Sequence, residues 1–182
     1  MKELYIERLN NMILKIYKKL IVVFSFMVLT YSMTACYSFK GASLPAEIKT
    51  IQINNFRNSA AGGPPNLTLT CNEKIKEYFQ RNTSLKITVE KPDLLLDGNI
   101  VRYDLTPVAP TSDDKAGLNR LTLTIEFELK NNFKEEESFV QEFSFYQDFP
   151  QNQTLADVED DLIPKLLDQI TLDLFNKIAG DW

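Results

Sequence analysis

The chain has 182 residues, 20 Lys/Arg against 25 Asp/Glu, a formal net charge of −5, no histidine and two cysteines. The acidic balance argues against a general polyanion binder such as a nucleic-acid protein. The lack of histidine removes the commonest general base and the commonest metal ligand together, and two cysteines cannot build a disulfide framework.

Residues 1–35 read as a signal peptide. Lys15, Lys18 and Lys19 form a basic stretch, with Met12 as an alternative start, and Leu20 to Leu29 is an apolar run with one Ser. At about ten residues that run is too short for a membrane span, which needs roughly 20. Met33-Thr34-Ala35-Cys36 follows and resembles a lipobox, with Met33 where an aliphatic residue is usual. Cys36 is therefore the residue expected to be lipidated. The leader holds five basic and two acidic residues, so the mature part has 15 basic and 23 acidic ones, a net charge of −8. No run of acids follows Cys36, which points to a periplasm-facing protein. Residues 36–48, with Gly41, Ser43 and Pro45, read as a tether. Residues 49–182 are enough for one domain.

Lys49 to Phe56 alternates and predicts a first strand. Residues 57–65 end in Gly62-Gly63-Pro64-Pro65, a loop with no Lys-Ser/Thr pair after it and so no phosphate-binding loop. Residues 66–82 predict a helix with Asn66 or Thr68 as cap and Leu67, Cys71, Ile75, Tyr78 and Phe79 on one face. Cys71 reads there as a small core residue. Leu85 to Glu90 predicts a second strand, and Lys91-Pro92-Asp93 a turn.

Residues 94–108 predict a long strand with a bulge or bend at Asp97-Gly98, and 111–119 a polar loop. Arg120 to Lys130 alternates apolar with Thr and Glu, as a strand with one covered face does. Ser138 to Phe149 returns, and the two form a hairpin across Asn131 to Lys134. Leu155 to Ala179 predicts a helix opened by a Thr154–Asp157 capping pair and ended by Gly180. Pro164 predicts a kink or break near Asp161. The fold class expected is α+β, two helices packed on one face of a mostly antiparallel or mixed four-stranded sheet.

The acids at 126–128, 135–137 and 157–161 fit a wet strand face, a solvated turn and a helix start. Asp113-Asp114 lacks a metal-binding spacing. No G-x-S-x-G or dinucleotide motif occurs, so no catalytic residue, metal or cofactor is expected. A binding or assembly protein is the class that remains.

Several segments then carry a resemblance: CYSFKGASLP, KTIQINNF, YDLTPVAP, AGLNRLTLTIEFELKN, FSFYQDF, ADVEDDLI and DLFNKIAGDW. In their order and spacing they are similar to the LptE family, the lipopolysaccharide-assembly lipoproteins of the outer membrane, in its Bacteroidota form. The resemblance implies two helices on a four-stranded sheet. It also implies a plug and assembly partner for the LptD-type β-barrel, held at the membrane through its lipid and in contact with lipopolysaccharide. Lipopolysaccharide is anionic, so Lys86, Lys91, Arg102 and Arg120, on or beside strands, are the candidate contacts. A generic outer-membrane lipoprotein that scaffolds or chaperones another envelope complex shares the same compositional features. An enzyme would need converging carboxylates in a deep polar pocket.

Overall fold

Strands whose alternate residues are apolar bury one face, and helices with a single apolar stripe supply the cover for it. A computed structural model of the chain describes residues 17–19, 44–45, 47–109 and 117–180. The chain divides into two units, Met1–Gly41 and Ala42–Trp182. In the first, residues 17–19 are helical. The apolar run, the lipobox with Cys36, most of the tether and the Asp113-Asp114 pair lie outside the described residues.

The second unit runs β1 (Thr50–Ile53), β2 (Arg57–Asn58), α1 (Leu67–Asn82), β3 (Lys86–Ile87), β4 (Leu94–Val108) and β5 (Leu118–Asn131). A 3₁₀ turn (Glu135–Glu137), β6 (Phe139–Pro150) and α2 (Leu155–Gly180) complete it. The fold is α+β, as expected. The sheet order is β3-β1-β4-β5-β6, with β2 also paired to β4. β1 lies parallel to β3 and β4, and β2 parallel to β4, while β4, β5 and β6 are antiparallel. The sheet is thus mixed and six-stranded rather than four-stranded. Besides the longer β1, β4, β5 and β6 it takes in two two-residue strands, β2, which the sequence does not predict, and β3, which lies within the strand predicted over 85–90.

Three local expectations change. The strand expected over 85–90 shrinks to Lys86–Ile87, because Thr88 Oγ1 accepts the Glu90 amide and Lys91 adopts φ 44°, turning the chain away from β1. The irregularity in β4 falls between Ile100 and Arg102, not at Asp97-Gly98. Gly98 serves a different purpose, since a Cβ there would lie 2.8 Å from the Phe56 ring. Pro164 does not break α2, which is continuous from Leu155 to Gly180. Pro164 and Asp160 both face solvent, where water can satisfy the carbonyl left without its helical donor.

The core lies between the helices and one sheet face. Leu67, Cys71, Ile75 and Phe79 of α1 and Leu162, Leu166, Leu167, Ile170 and Leu174 of α2 are buried against Ile51, Leu94, Leu96, Ile100, Leu121, Leu123, Ile125 and Phe127. Burial of each such aliphatic side chain contributes about 1.5–3 kcal/mol. The rings of Phe56 and Phe127 meet edge-on at 5.7 Å, and those of Phe127 and Phe143 at 5.8 Å. Tyr78 on α1 meets Phe175 on α2 in the same way at 5.5 Å. Cys71 is buried, as the sequence predicts, and burial pushes its thiol up to about 12, where it stays protonated and inert.

Turns and caps follow their side chains. Asn131 Oδ1 accepts the amides of Phe133 and Lys134 at 2.8 and 2.9 Å, and this closes the β5–β6 connection. Asp157 accepts both the amide and the hydroxyl of Thr154, at 3.0 and 2.6 Å, at the start of α2. That is the capping pair expected from the sequence.

Candidate interaction surface

The sheet face turned away from the helices follows from strand parity. Residues opposite one another share a face, so Thr122 and Thr124 of β5 lie beside Asp104 and Arg102 of β4 and Tyr146 and Ser144 of β6. Asp97 stands opposite Glu128, and Glu126 opposite Glu142. These two like-charge pairs give the middle of the face an acidic character at some cost in stability. Polar side chains knit the rest together. Asn54 Nδ2 donates to Asp97 at 2.9 Å, Ser59 Oγ to Asn99 at 2.9 Å, and the Thr124 and Ser144 hydroxyls share a bond of 2.8 Å.

The four candidate cations occupy two regions. Lys86 lies exposed on β3, and Lys91 lies in the loop that follows. Arg102 and Arg120 lie on the open face, opposite Thr124 and Thr106, so they stand four residues apart measured along β5. Arg102 is exposed and sits 3.6 Å from Asp104. Arg120 is held more firmly. Its Nε and Nη2 donate to both carboxylate oxygens of Asp148 at 2.7 and 2.8 Å, and its guanidinium carbon lies 3.7 Å from the centre of the Tyr146 ring. The Arg120 hydrogen bond holds the Asp148 carboxyl below its usual range, and the same bond raises the guanidinium.

Neither Asp148 nor Tyr146 stood out in the sequence. Their link to Arg120 depends on the β5–β6 register, which puts Asp148 directly opposite Arg120. The hairpin itself was legible, and fixing its register from the Asn131 turn would have paired these residues.

Two further polar centres brace the fold behind this surface. Asp93 Oδ2 accepts the amides of Lys49 and Thr50 and the Thr50 hydroxyl, each at 2.9 Å. The Lys49 amide bond is the main reason its carboxyl sits below the usual range. Asn72 on α1 is buried and donates to the Asn54 carbonyl at 2.5 Å, which ties the helix to the end of β1.

A groove of about 280 Å³ is lined by Asn55, Phe56, Thr68, Leu69 and Asn72, and another of about 270 Å³ near the β5–β6 turn by Glu128, Leu129, Lys130, Glu135, Ser138, Phe139 and Val140. Among the described residues no group of three or more Cys, Asp or Glu is placed to hold a metal ion. No helix among them is long and apolar enough to cross a membrane.

Residues 48–178 match the family model of LptE, described as lipopolysaccharide-assembly. That match spans most of the chain and nearly all of the domain. The chain belongs to the LptE family. The architecture of this LptE-family domain recurs in solved structures. An uncharacterized lipoprotein B from Nitrosomonas europaea is 15% identical, with a TM-score of 0.51 over 76% of this chain and 86% of that one. The hypothetical protein CT253 from Chlamydia trachomatis is 7% identical, with a TM-score of 0.50 over 73% of this chain and 99% of that one. At these identities the likeness is one of fold alone. No curated protein matches the chain.

Proposed function

We propose that this LptE-family chain is a lipopolysaccharide-assembly lipoprotein of the outer membrane. In this reading it is anchored through Cys36, faces the periplasm, and serves as plug and assembly partner of an LptD-type β-barrel. The observation that carries the reading is the family match over residues 48–178. The geometry suits it. A plug in a polar lumen needs a rigid small domain with a hydrophilic surface, and the open sheet face supplies hydrogen-bonded polar side chains on a scaffold held by a continuous core. The same family assignment supports a non-catalytic role.

Contact with lipopolysaccharide phosphates falls in this reading to Lys86, Lys91, Arg102 and Arg120. Asp148 already takes two of the Arg120 donors and offsets its charge, so Lys86, Lys91 and Arg102 are the stronger contacts. The mature charge of −8 suits barrel binding better than strong binding of an anionic lipid.

Depletion of the protein in its own cells tests the reading. Antibody labelling of lipopolysaccharide on intact cells should fall as the protein is lost. Undiminished surface lipopolysaccharide after complete depletion would overturn it.

A further inference from the structure

A sheet edge presents unpaired backbone groups, and proteins blunt such edges by shortening them or by placing Lys, Pro or a bulge there. At one side of this sheet the edge is β3, only two residues long. At the other it is β6, twelve residues long, whose one neighbour among the described residues is β5. β6 pairs with β5 through twelve consecutive residues, from Leu118↔Pro150 to Leu129↔Phe139, without a register shift. It contains no Lys, and its proline is the last residue.

Which groups point outward can be worked out. The Gln151 amide donates to the Gly117 carbonyl at 3.0 Å, and 117 and 151 continue the β5–β6 register. That pair exchanges its bonds inward. Antiparallel pairs alternate, so the odd residues of β6 bond to β5 and the even ones turn their N–H and C=O to the free edge. Val140, Glu142, Ser144, Tyr146 and Asp148 are therefore the outward donors. Pro150, which has no N–H, falls at an outward position, where edge-strand prolines belong.

The faces of β6 define what fits beside it. Phe139, Phe143, Phe145 and Phe149, with Gln141 and Gln147, line the helix side, and Val140, Glu142, Ser144, Tyr146 and Asp148 the open side, where Asp148 is paired with Arg120 and Glu142 stands opposite Glu126 as the available acidic charge. We infer that β6 is a docking edge for an extended segment of a partner chain, one that alternates apolar side chains toward α2 with polar or basic ones toward the open face. Main-chain bonds supply the affinity and the alternation supplies the selectivity. This inference stands on the edge itself. The function proposed above adds only a source, an extended segment of the barrel chain outside its closed wall, whose own strands have no free edge.

The test uses the full lipidated protein in detergent and a synthetic peptide as long as the strand that alternates valine with lysine. A scrambled peptide of the same composition is the control, and the readout is residue-resolved hydrogen exchange. The peptide should slow the amides of Val140, Glu142, Ser144, Tyr146 and Asp148 by about tenfold or more, and leave the odd-numbered amides of β6 unchanged. Ser144→Pro should abolish the slowing, while Ser144→Ala retains it. Where Ser144→Pro fails to fold by circular dichroism, Glu142→Lys takes its place and should weaken the lysine peptide. No slowing at saturating peptide overturns the inference. So does slowing that exists without peptide and grows with protein concentration, because the occupant is then a second copy. Either failure leaves the depletion result above untouched.

Discussion

The hydroxyl of Tyr103 on β4 donates to a carboxylate oxygen of Glu159 on α2, and this bond pins the first turns of the last helix to the middle of the sheet. The ring of Tyr103 also supports the Gly62-Gly63 loop, where a Cβ on Gly62 would lie 3.4 Å from a ring carbon of Tyr103. One side chain thus joins β4, the entry to α1 and the start of α2. Burial, and then the Glu159 bond, raises the Tyr103 phenol above its usual value and keeps it a donor. Tyr103→Phe should lower stability by about 0.5–1.5 kcal/mol in urea unfolding, with most of that loss absent in a Glu159→Ala background, which has no acceptor for the hydroxyl.

Gly98 and Phe56 make a second test. Gly98→Ala should cost about 1–3 kcal/mol, because the added methyl meets the Phe56 ring. In a Phe56→Leu background the same change should cost clearly less. A double-mutant cycle read by chemical denaturation checks the coupling.

Thr171 is fully buried in α2, and its hydroxyl has no hydrogen-bond partner among the described residues. Thr171→Val keeps the shape and removes the unsatisfied group. It should raise stability by about 1 kcal/mol, seen as a higher melting temperature.

Acid should weaken the domain through Asp93 and Asp148. Both carboxyls sit below the ordinary aspartate value of 3.8 in the folded state, Asp93 chiefly through the Lys49 amide and Asp148 chiefly through Arg120. A lowered folded-state value means that the unfolded chain takes up protons first as pH falls. The stabilisation is therefore complete above the unfolded value and is lost as pH drops through 3.8 toward the lower folded values. Stability measured from pH 6 downward should fall most steeply in that window. Asp93→Asn with Asp148→Asn should flatten the decline.

Much of this architecture was legible from the residues. The alternation of Leu121 to Leu129 and the stripe from Leu155 to Ile178 are long, so burial on one face decides them. The short strands were not. Arg57–Asn58 has no apolar pattern and becomes a strand only because β4 offers its edge, with Arg57 opposite Asn99. Val89 continues the alternation of Leu85 and Ile87 yet is 81% exposed, because the chain has already turned at Thr88. Candidate cations could be picked by type, but their availability could not. Arg102 and Arg120 look alike in sequence, and only the β5–β6 register shows that Asp148 and Tyr146 hold Arg120 in place.

The role proposed for this LptE-family domain is that of partner to a large outer-membrane barrel. The most direct measurement is affinity purification of the tagged, lipidated protein from detergent-solubilised membranes, with the partner bands identified by mass. A large β-barrel protein recovered at near-equal stoichiometry is the result this account predicts. Recovery of the protein alone, or with unrelated periplasmic proteins, would contradict it.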